Sequence, residues 1–187
     1  MHHAEKDHLG PARRTAEYID EIILAATVSP RNRWKQSAVR CRRRPRHRKC
    51  PGRLLVCERG NGDIGYKCLQ CSEQGVIRGW QDGMSDLSEF REESCGPAFE
   101  IVLREREYDE LKKALYMDIE SDTIIYGATY TEQGVILRAS ASDIKSFVSC
   151  LADDAKQAKN PRHLRMINEV LRHVEAALGT SSLSFRD

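Results

Sequence analysis

Apolar residues in the first half of the chain change from a helical period to short runs separated by turns. One face of residues 13–26 carries Ile19, Ile22, Ile23 and Ala26, at spacings of three, one and three, which predicts an amphipathic helix. Two apolar runs at 54–57 and 64–67 flank a glycine-rich turn, which predicts a β-hairpin. A third strand is expected at 75–80, where Trp80 would cover the small core of this hairpin module.

The C-terminal half contains strands and helices that each have an apolar face. The predicted elements are a strand at 99–103, a helix at 108–118, strands at 123–130 and 135–138, and helices that begin near Ser140 and Asn160. The order β-α-β-β-α-α describes a compact domain. The whole chain is therefore predicted to be α+β: an N-terminal helix, a β-hairpin module and then this small domain.

The two last helices have clear start signals. Ser140 with Asp143 resembles a capping box, and Asn160 followed by proline is typical of a helix N-terminus. The apolar stripe of the last helix is spaced three and four, which suits packing on its own sheet or a dimer seam. A stripe of two heptads more often packs on its own sheet, and a homodimer or a protein partner through the C-terminal domain is the alternative.

Composition divides the chain into four segments. Residues 1–30 are a tail and a helix, 31–80 a basic module, 81–97 an acidic linker and 98–187 the α+β domain. The linker has five carboxylates against one arginine, so we expect it to lie against the basic module in the unbound protein.

The 187 residues are 40% hydrophobic and 31% charged, which is typical of a soluble globular protein. The longest apolar run, residues 22–28, is too short to span a membrane, and the N-terminus lacks the apolar segment of a signal peptide. We expect a cytoplasmic protein that does not bind a membrane.

Seven cysteines include one close pair, Cys68 and Cys71. Two thiolates separated by two residues can hold one zinc ion from a single turn, and a tetrahedral site needs four such ligands. Hairpin geometry places Cys68 across from about Leu55, so Cys50 lies at the same end of the hairpin. Cys41 supplies the fourth ligand if the loop 42–49 folds back.

Two other residues remain candidates for the position of Cys41. His47 lies in the loop, and Cys57 lies about 7 Å further along its strand than Leu55. Cys95 in the linker has no partner in this scheme.

The pattern C-x8-C, followed later by C-x2-C, resembles a zinc ribbon with an enlarged first turn, over residues 41–80. Ribbons often have glycine after the second cysteine pair, where this chain has Ser72. The resemblance implies a zinc cofactor. It also implies a role in transcription, in translation or in binding a protein partner, without naming the process.

The same region is the most basic part of the chain. Residues 31–53 contain eleven Lys or Arg and no acid, while the whole chain has a formal charge of +2, so the remainder sums to −9 (2 minus 11). Such asymmetry favours a polyanionic partner, nucleic acid first. The candidate nucleic-acid-binding residues are Arg40, Arg42, Arg43, Arg44, Arg46, Arg48, Lys49 and Arg53.

The sequence shows no P-loop, Rossmann glycine pattern, HExxH or nucleophile-elbow serine, so we expect no enzymatic activity. The predicted function is that of a zinc-ribbon regulatory or accessory factor whose arginine-rich loop contacts the phosphates of DNA or RNA. The alternative is a non-enzymatic adaptor whose basic loop binds an acidic protein surface.

Overall fold

The computed structural model describes residues 10–81, 83–91, 99–114, 117–140 and 142–183, with side chains through Gly179. It confirms the predicted α+β class. An N-terminal helix is followed by a four-stranded antiparallel sheet, and then by a three-stranded sheet with four helices. Cys95 and part of the acidic linker lie outside the described residues.

The N-terminal sheet follows helix α1, Pro11–Thr27. Its strands are β1 (Lys35–Arg40), β2 (Arg53–Glu58), β3 (Ile64–Cys68) and β4 (Gln74–Ile77), in the spatial order β1-β2-β3-β4. The helix and the hairpin of β2 and β3 confirm the sequence predictions.

Strand β1 was not predicted. It buries Ser37, Ala38 and Val39 in succession instead of alternating, because its register with β2 is irregular between Gln36 and Arg40. An irregular strand inside a basic run has no period-two signal that a sequence pattern could detect.

Helix α1 packs on one face of this sheet. Ile22 and Ile23 join Leu54 and Ile64 in a small core. Trp80 also belongs to this core, and its ring nitrogen donates to the carbonyl oxygen of Gly62 at 2.8 Å. Trp80 therefore covers the core as predicted and holds the hairpin turn.

The C-terminal region is built from seven elements. They are β5 (Phe99–Leu103), α2 (Glu105–Leu111), α3 (Ile119–Tyr126), β6 (Thr129–Thr131), β7 (Gly134–Ala139), α4 (Asp143–Gln157) and α5 (Pro161–Leu183). The antiparallel sheet has the order β5-β7-β6, and its core includes the predicted inward residues Phe147 and Leu151 of α4. The predicted first strand and the two last helices are confirmed.

The predicted strand over residues 123–130 is wrong for most of its length, because α3 occupies Ile119–Tyr126. The β-branched residues Ile124 and Ile125 favour a strand locally. However, Asp118 caps the helix by accepting a hydrogen bond from the backbone N–H of Ser121 at 2.8 Å, and both isoleucines are buried in the C-terminal core. Helix α2 was placed too late along the chain, since it covers Glu105–Leu111.

The two sheets meet through β1. Ala38 is buried within the C-terminal core, and the ammonium group of Lys35 donates to the carbonyl oxygen of Gly127 at 2.5 Å. Burial, followed by the nearby charge of Arg138, lowers the pKa of Lys35 to about 8. The N-terminal sheet therefore has direct polar and apolar contacts with the C-terminal region.

Candidate metal centre and basic loop

Four cysteine side chains meet at one end of the N-terminal sheet. The sulfur atoms of Cys41, Cys50, Cys68 and Cys71 all lie within 4.8 Å of one another. The Cys41 and Cys71 sulfurs are 3.5 Å apart, and those of Cys50 and Cys68 are 3.8 Å apart. A tetrahedral ion with bonds of about 2.3 Å to sulfur requires about 3.8 Å between sulfurs. The group can therefore hold a metal ion.

Strand register brings these cysteines together. Cys68 ends β3 and lies opposite Leu54, one residue from the predicted position. Cys41 follows β1 directly, and its backbone N–H donates to the carbonyl oxygen of Gly52 at 2.9 Å. His47 and Cys57 are not members of the cysteine group: His47 is exposed in the loop, while Cys57 is buried further along β2.

The basic loop, residues 42–49, folds back so that Cys50 returns to Cys41. The Cys50 N–H donates to the carbonyl oxygen of Arg43 at 2.9 Å, which closes the loop at its base. A single turn of 3₁₀ helix follows at Pro45–His47, and Arg46 and His47 have positive φ angles of 52° and 64°. The two left-handed residues bend the loop, so that its six cations lie between the candidate ligands Cys41 and Cys50.

The turn after Cys71 has the backbone conformation that usually requires glycine. Ser72 has a φ of 59°, and its N–H donates to the carbonyl oxygen of Cys68 at 3.1 Å. The N–H of Cys68 in turn donates to the carbonyl oxygen of Glu73 at 2.7 Å. Glycine adopts a left-handed conformation without the steric cost that a Cβ atom brings, so this position of the turn favours glycine.

Gly52 is a further part of the site, and sequence reasoning missed it. A Cβ atom at this position would lie 2.6 Å from the Cys68 sulfur, which is too close for any other residue without a shift of the sulfur. The signal that the sequence offered for this role was the position of Gly52, two residues after the candidate ligand Cys50.

The thiols differ in how easily they lose a proton. Burial raises the pKa of Cys41 and of Cys50, while the backbone N–H of Glu73 lowers the pKa of Cys71. Because a metal binds the thiolate form, binding to this group releases protons.

The predicted nucleic-acid-binding cations fall into three groups in the structure. Arg44, Arg46, Arg48 and Lys49 are exposed, and no carboxylate of the described residues lies within 4.0 Å of them. These four form the free part of the basic loop.

The second group is exposed but paired. Arg40 contacts Glu105 at 2.9 Å and Asp109 at 2.7 Å, and Arg43 contacts Glu73 at 2.6 Å. Arg42 stacks on the ring of Tyr18 and donates to the carbonyl oxygen of Arg14. None of these carboxylates comes from the acidic linker, whose described acids Asp86 and Glu89 make no ion pair with the loop among the described residues.

Arg53 forms the third group by itself. Only 8% of the residue is exposed, and its guanidinium contacts Glu105 at 2.6 Å, donates to the carbonyl oxygen of Ala38 at 3.2 Å and stacks on Tyr130. Its side chain therefore joins the two sheets and does not reach the surface of the basic loop. Nothing in the local sequence distinguishes it from the other arginines, because its partners lie far away along the chain.

Trp34 lies immediately before β1 and is 43% exposed. The ammonium group of Lys67 lies 4.5 Å from the centre of its ring. The indole thus has a cation on one side and considerable free surface.

Comparison of the chain with protein-family models, with curated proteins and with solved structures gives no match. The assignment of a function therefore depends on the residues and on their geometry. Among the described helices, none combines the length and the apolar character that crossing a membrane requires.

Proposed function

We propose that the four cysteines bind zinc and that the basic loop binds the phosphates of nucleic acid. One observation carries this proposal. Arg44, Arg46, Arg48 and Lys49 are exposed without a described ion-pair partner, on a loop that begins and ends at candidate metal ligands. A loop fixed at both ends loses less conformational entropy when it binds than a free arginine tract does.

Zinc is the metal that best suits four thiolates in a tetrahedral arrangement, since it accepts sulfur ligands and has no other geometric preference. Four thiolates with one Zn²⁺ have a net charge of about −2. This charge is smaller than that of the four loop cations without a described ion-pair partner, Arg44, Arg46, Arg48 and Lys49. The surface around a zinc-loaded site therefore remains basic.

Arginine suits phosphate because its planar fork of donors matches two phosphate oxygens. Reading bases requires an element fitted into a groove, whereas the basic loop is short and sharply bent. We therefore expect binding to DNA or RNA with little sequence preference from the loop itself.

The test is the salt dependence of binding by the zinc-loaded protein, measured by fluorescence anisotropy with labelled duplex and single-stranded oligonucleotides. If about four to six cations neutralise phosphates on duplex DNA, log K should fall with log salt at a slope of roughly −4 to −5. The triple variant Arg44→Gln, Arg46→Gln, Arg48→Gln should flatten this slope by about three units and weaken all sequences alike.

The matched control removes three arginines from helix α5: Arg162→Gln, Arg165→Gln and Arg172→Gln. These residues are also exposed, and the loss of three arginines changes the net charge by the same amount as in the loop variant. The control should bind like the parent, and both variants should keep their zinc. If the loop variant binds DNA and RNA as well as the parent, the loop is not the contact surface, and an adaptor that binds an acidic protein replaces this proposal.

A further inference from the structure

A groove of about 570 Å³ lies beside the cysteine group, between the basic loop and the helices α1 and α2. Its lining has six cations and one carboxylate. The cations are Arg40, Arg42, Arg43, Arg44, Lys49 and Lys112, and the carboxylate is Glu21. Lys112 follows helix α2, so the basic surface extends from the loop onto the C-terminal region.

Two of these cations are held in place by aromatic rings. The guanidinium of Arg42 lies 4.6 Å from the ring centre of Tyr18, and the ammonium of Lys112 lies 5.3 Å from that of Tyr108. Side chains fixed in this way lose less rotamer entropy when they bind an anion than freely moving ones do. They are better suited to a defined phosphate position than the free cations of the loop.

Glu21 lies between these two cations. Its Oε1 is 3.3 Å from the Lys112 Nζ and 4.0 Å from the Arg42 Nη2. The side chains of Lys112 and Glu21 are only 16% and 25% exposed, so the pair is partly shielded from water and salt. An anion shared by two cations marks the place in the groove where negative charge is most favourable.

We propose that this groove takes a phosphate of the bound nucleic acid, that Lys112 contacts it, and that Glu21 competes with it. The proposal rests on the nucleic-acid binding proposed above. It identifies the groove as the place to which the sugar-phosphate backbone of the nucleic acid continues from the basic loop. Glu21 acts as an internal counterion, which offsets part of the charge of Arg42 and Lys112 in the unbound protein and lowers affinity for weakly charged anions. Only a ligand with several phosphates gains enough from the loop to displace it.

The experiment measures oligonucleotide affinity and its salt slope for Lys112→Gln and for its neighbour Lys113→Gln. Lys113 is exposed and pairs with Glu110, so its loss is the matched control. Lys112→Gln should weaken binding about fivefold to tenfold at 0.1 M salt and flatten the slope by about 0.7 to 0.9, while Lys113→Gln should change neither. Lys112→Arg should restore both quantities, which separates a charge contact from a general disturbance of α2.

Glu21→Gln should act in the opposite direction. Removing the competing carboxylate should tighten binding severalfold, because Arg42 and Lys112 then lose no partner when phosphate enters. Equal affinities for Lys112→Gln and Lys113→Gln would overturn the groove assignment, and weaker binding by Glu21→Gln would overturn the competition.

The loop variant distinguishes failure of this inference from failure of the proposed function. If the variant at Arg44, Arg46 and Arg48 loses affinity while Lys112→Gln does not, the loop binds nucleic acid and the groove does not. If the parent protein binds no oligonucleotide at low salt, both proposals fail together.

Discussion

The N-terminal sheet and the C-terminal region are held together by different means. Of the twelve buried residues in the N-terminal core, three are cysteines of the candidate metal group. Among the described residues, the C-terminal core has seventeen buried members, and none of these is a cysteine. A small apolar core rarely stabilises a unit alone, so we expect the N-terminal sheet to depend on metal held by its cysteines and the C-terminal region to depend on side-chain packing. The two regions should therefore fail under different treatments.

The largest expected effect is the loss of metal from Cys68→Ser or from strong chelation. Structural zinc contributes about 10–16 kcal/mol of binding free energy in zinc-finger peptides. The N-terminal sheet should lose its protection from amide hydrogen exchange, while β5, β7 and α4 keep theirs. Elemental analysis and exchange mass spectrometry measure both. Cys57→Ser is the control, because Cys57 is buried but outside the group; equal metal loss from both variants would contradict the ligand set.

The converse change is Phe147→Ala, which opens a cavity in the C-terminal core. Phe147 is completely buried, so the expected cost is about 3–5 kcal/mol of unfolding free energy, with no change in metal content. Chemical denaturation measures this cost. Phe90→Ala should cost far less, because Phe90 is 41% exposed. Metal release from Phe147→Ala under native conditions would show that the two regions are not separable in this way.

A change of intermediate size, Asp118→Ala, removes the cap of α3 and should cost about 1 kcal/mol at neutral pH. Burial raises the pKa of Asp118, but hydrogen bonds from Ser121 and Ser146 outweigh it and lower the pKa to about 2. Since the folded-state value is below the ordinary 3.8, the stabilisation is present above about pH 4 and is lost as the pH falls toward 2. Thermal melts across this range should show the parent and the variant converging in acid.

The control for this pH effect is Asp122→Asn in the same helix. Burial, followed by the charge of Asp118, raises the pKa of Asp122. The charged form therefore costs stability at neutral pH, and the variant should gain stability there relative to acid. If both variants show the same pH dependence, the local environment does not control these carboxylates.

The smallest expected effect is a gain. Ser72→Gly should stabilise the metal-loaded N-terminal sheet by up to about 1 kcal/mol, because glycine adopts the left-handed conformation without the Cβ penalty. Ser88→Gly should instead be neutral or destabilising, since Ser88 is not among the residues with positive φ. Denaturation of the zinc-loaded variants measures the difference, and a loss of stability from Ser72→Gly would contradict the strain assigned to this turn.

Local spacing predicted the features that depend on neighbouring residues. The pair Cys68 and Cys71, with the hairpin that leads to it, was enough to select Cys50. The fourth position remained open between Cys41, His47 and Cys57 until the structure placed Cys41 in the group. The stripe of α4 and the cap at Asn160 were likewise local, and Asn160 accepts a hydrogen bond from the backbone N–H of Arg162. Helix α4 itself begins at Asp143 with Ser142 at its N-cap position, although the Ser140 hydroxyl oxygen accepts from the Asp143 N–H as expected. These features are set within a few residues of chain or by one strand pairing.

Features fixed by distant contacts could not be predicted in the same way. Helix α3 carries β-branched residues that favour a strand, and packing in the C-terminal core acts together with the local Asp118 cap to favour the helix. Arg53 differs from the unpaired cations because it forms an ion pair with Glu105, which is distant along the chain. Lys112 lines the basic groove only because α2 packs nearby. Charge patterns predict that a surface is basic, but not which of its charges are already paired.

Because the backbone of the basic loop is bent, the rate at which a protease cleaves the loop should report whether metal is bound. Six of its eight residues are Arg or Lys, the residues after which trypsin cleaves. Proteases bind their substrates as extended strands, whereas this loop is closed by the Cys50–Arg43 hydrogen bond and has two successive left-handed residues. Cleavage therefore requires local opening, which bound metal opposes. The segment richest in trypsin sites would then be cut slowly when the metal is present, and would be the first lost when it is absent.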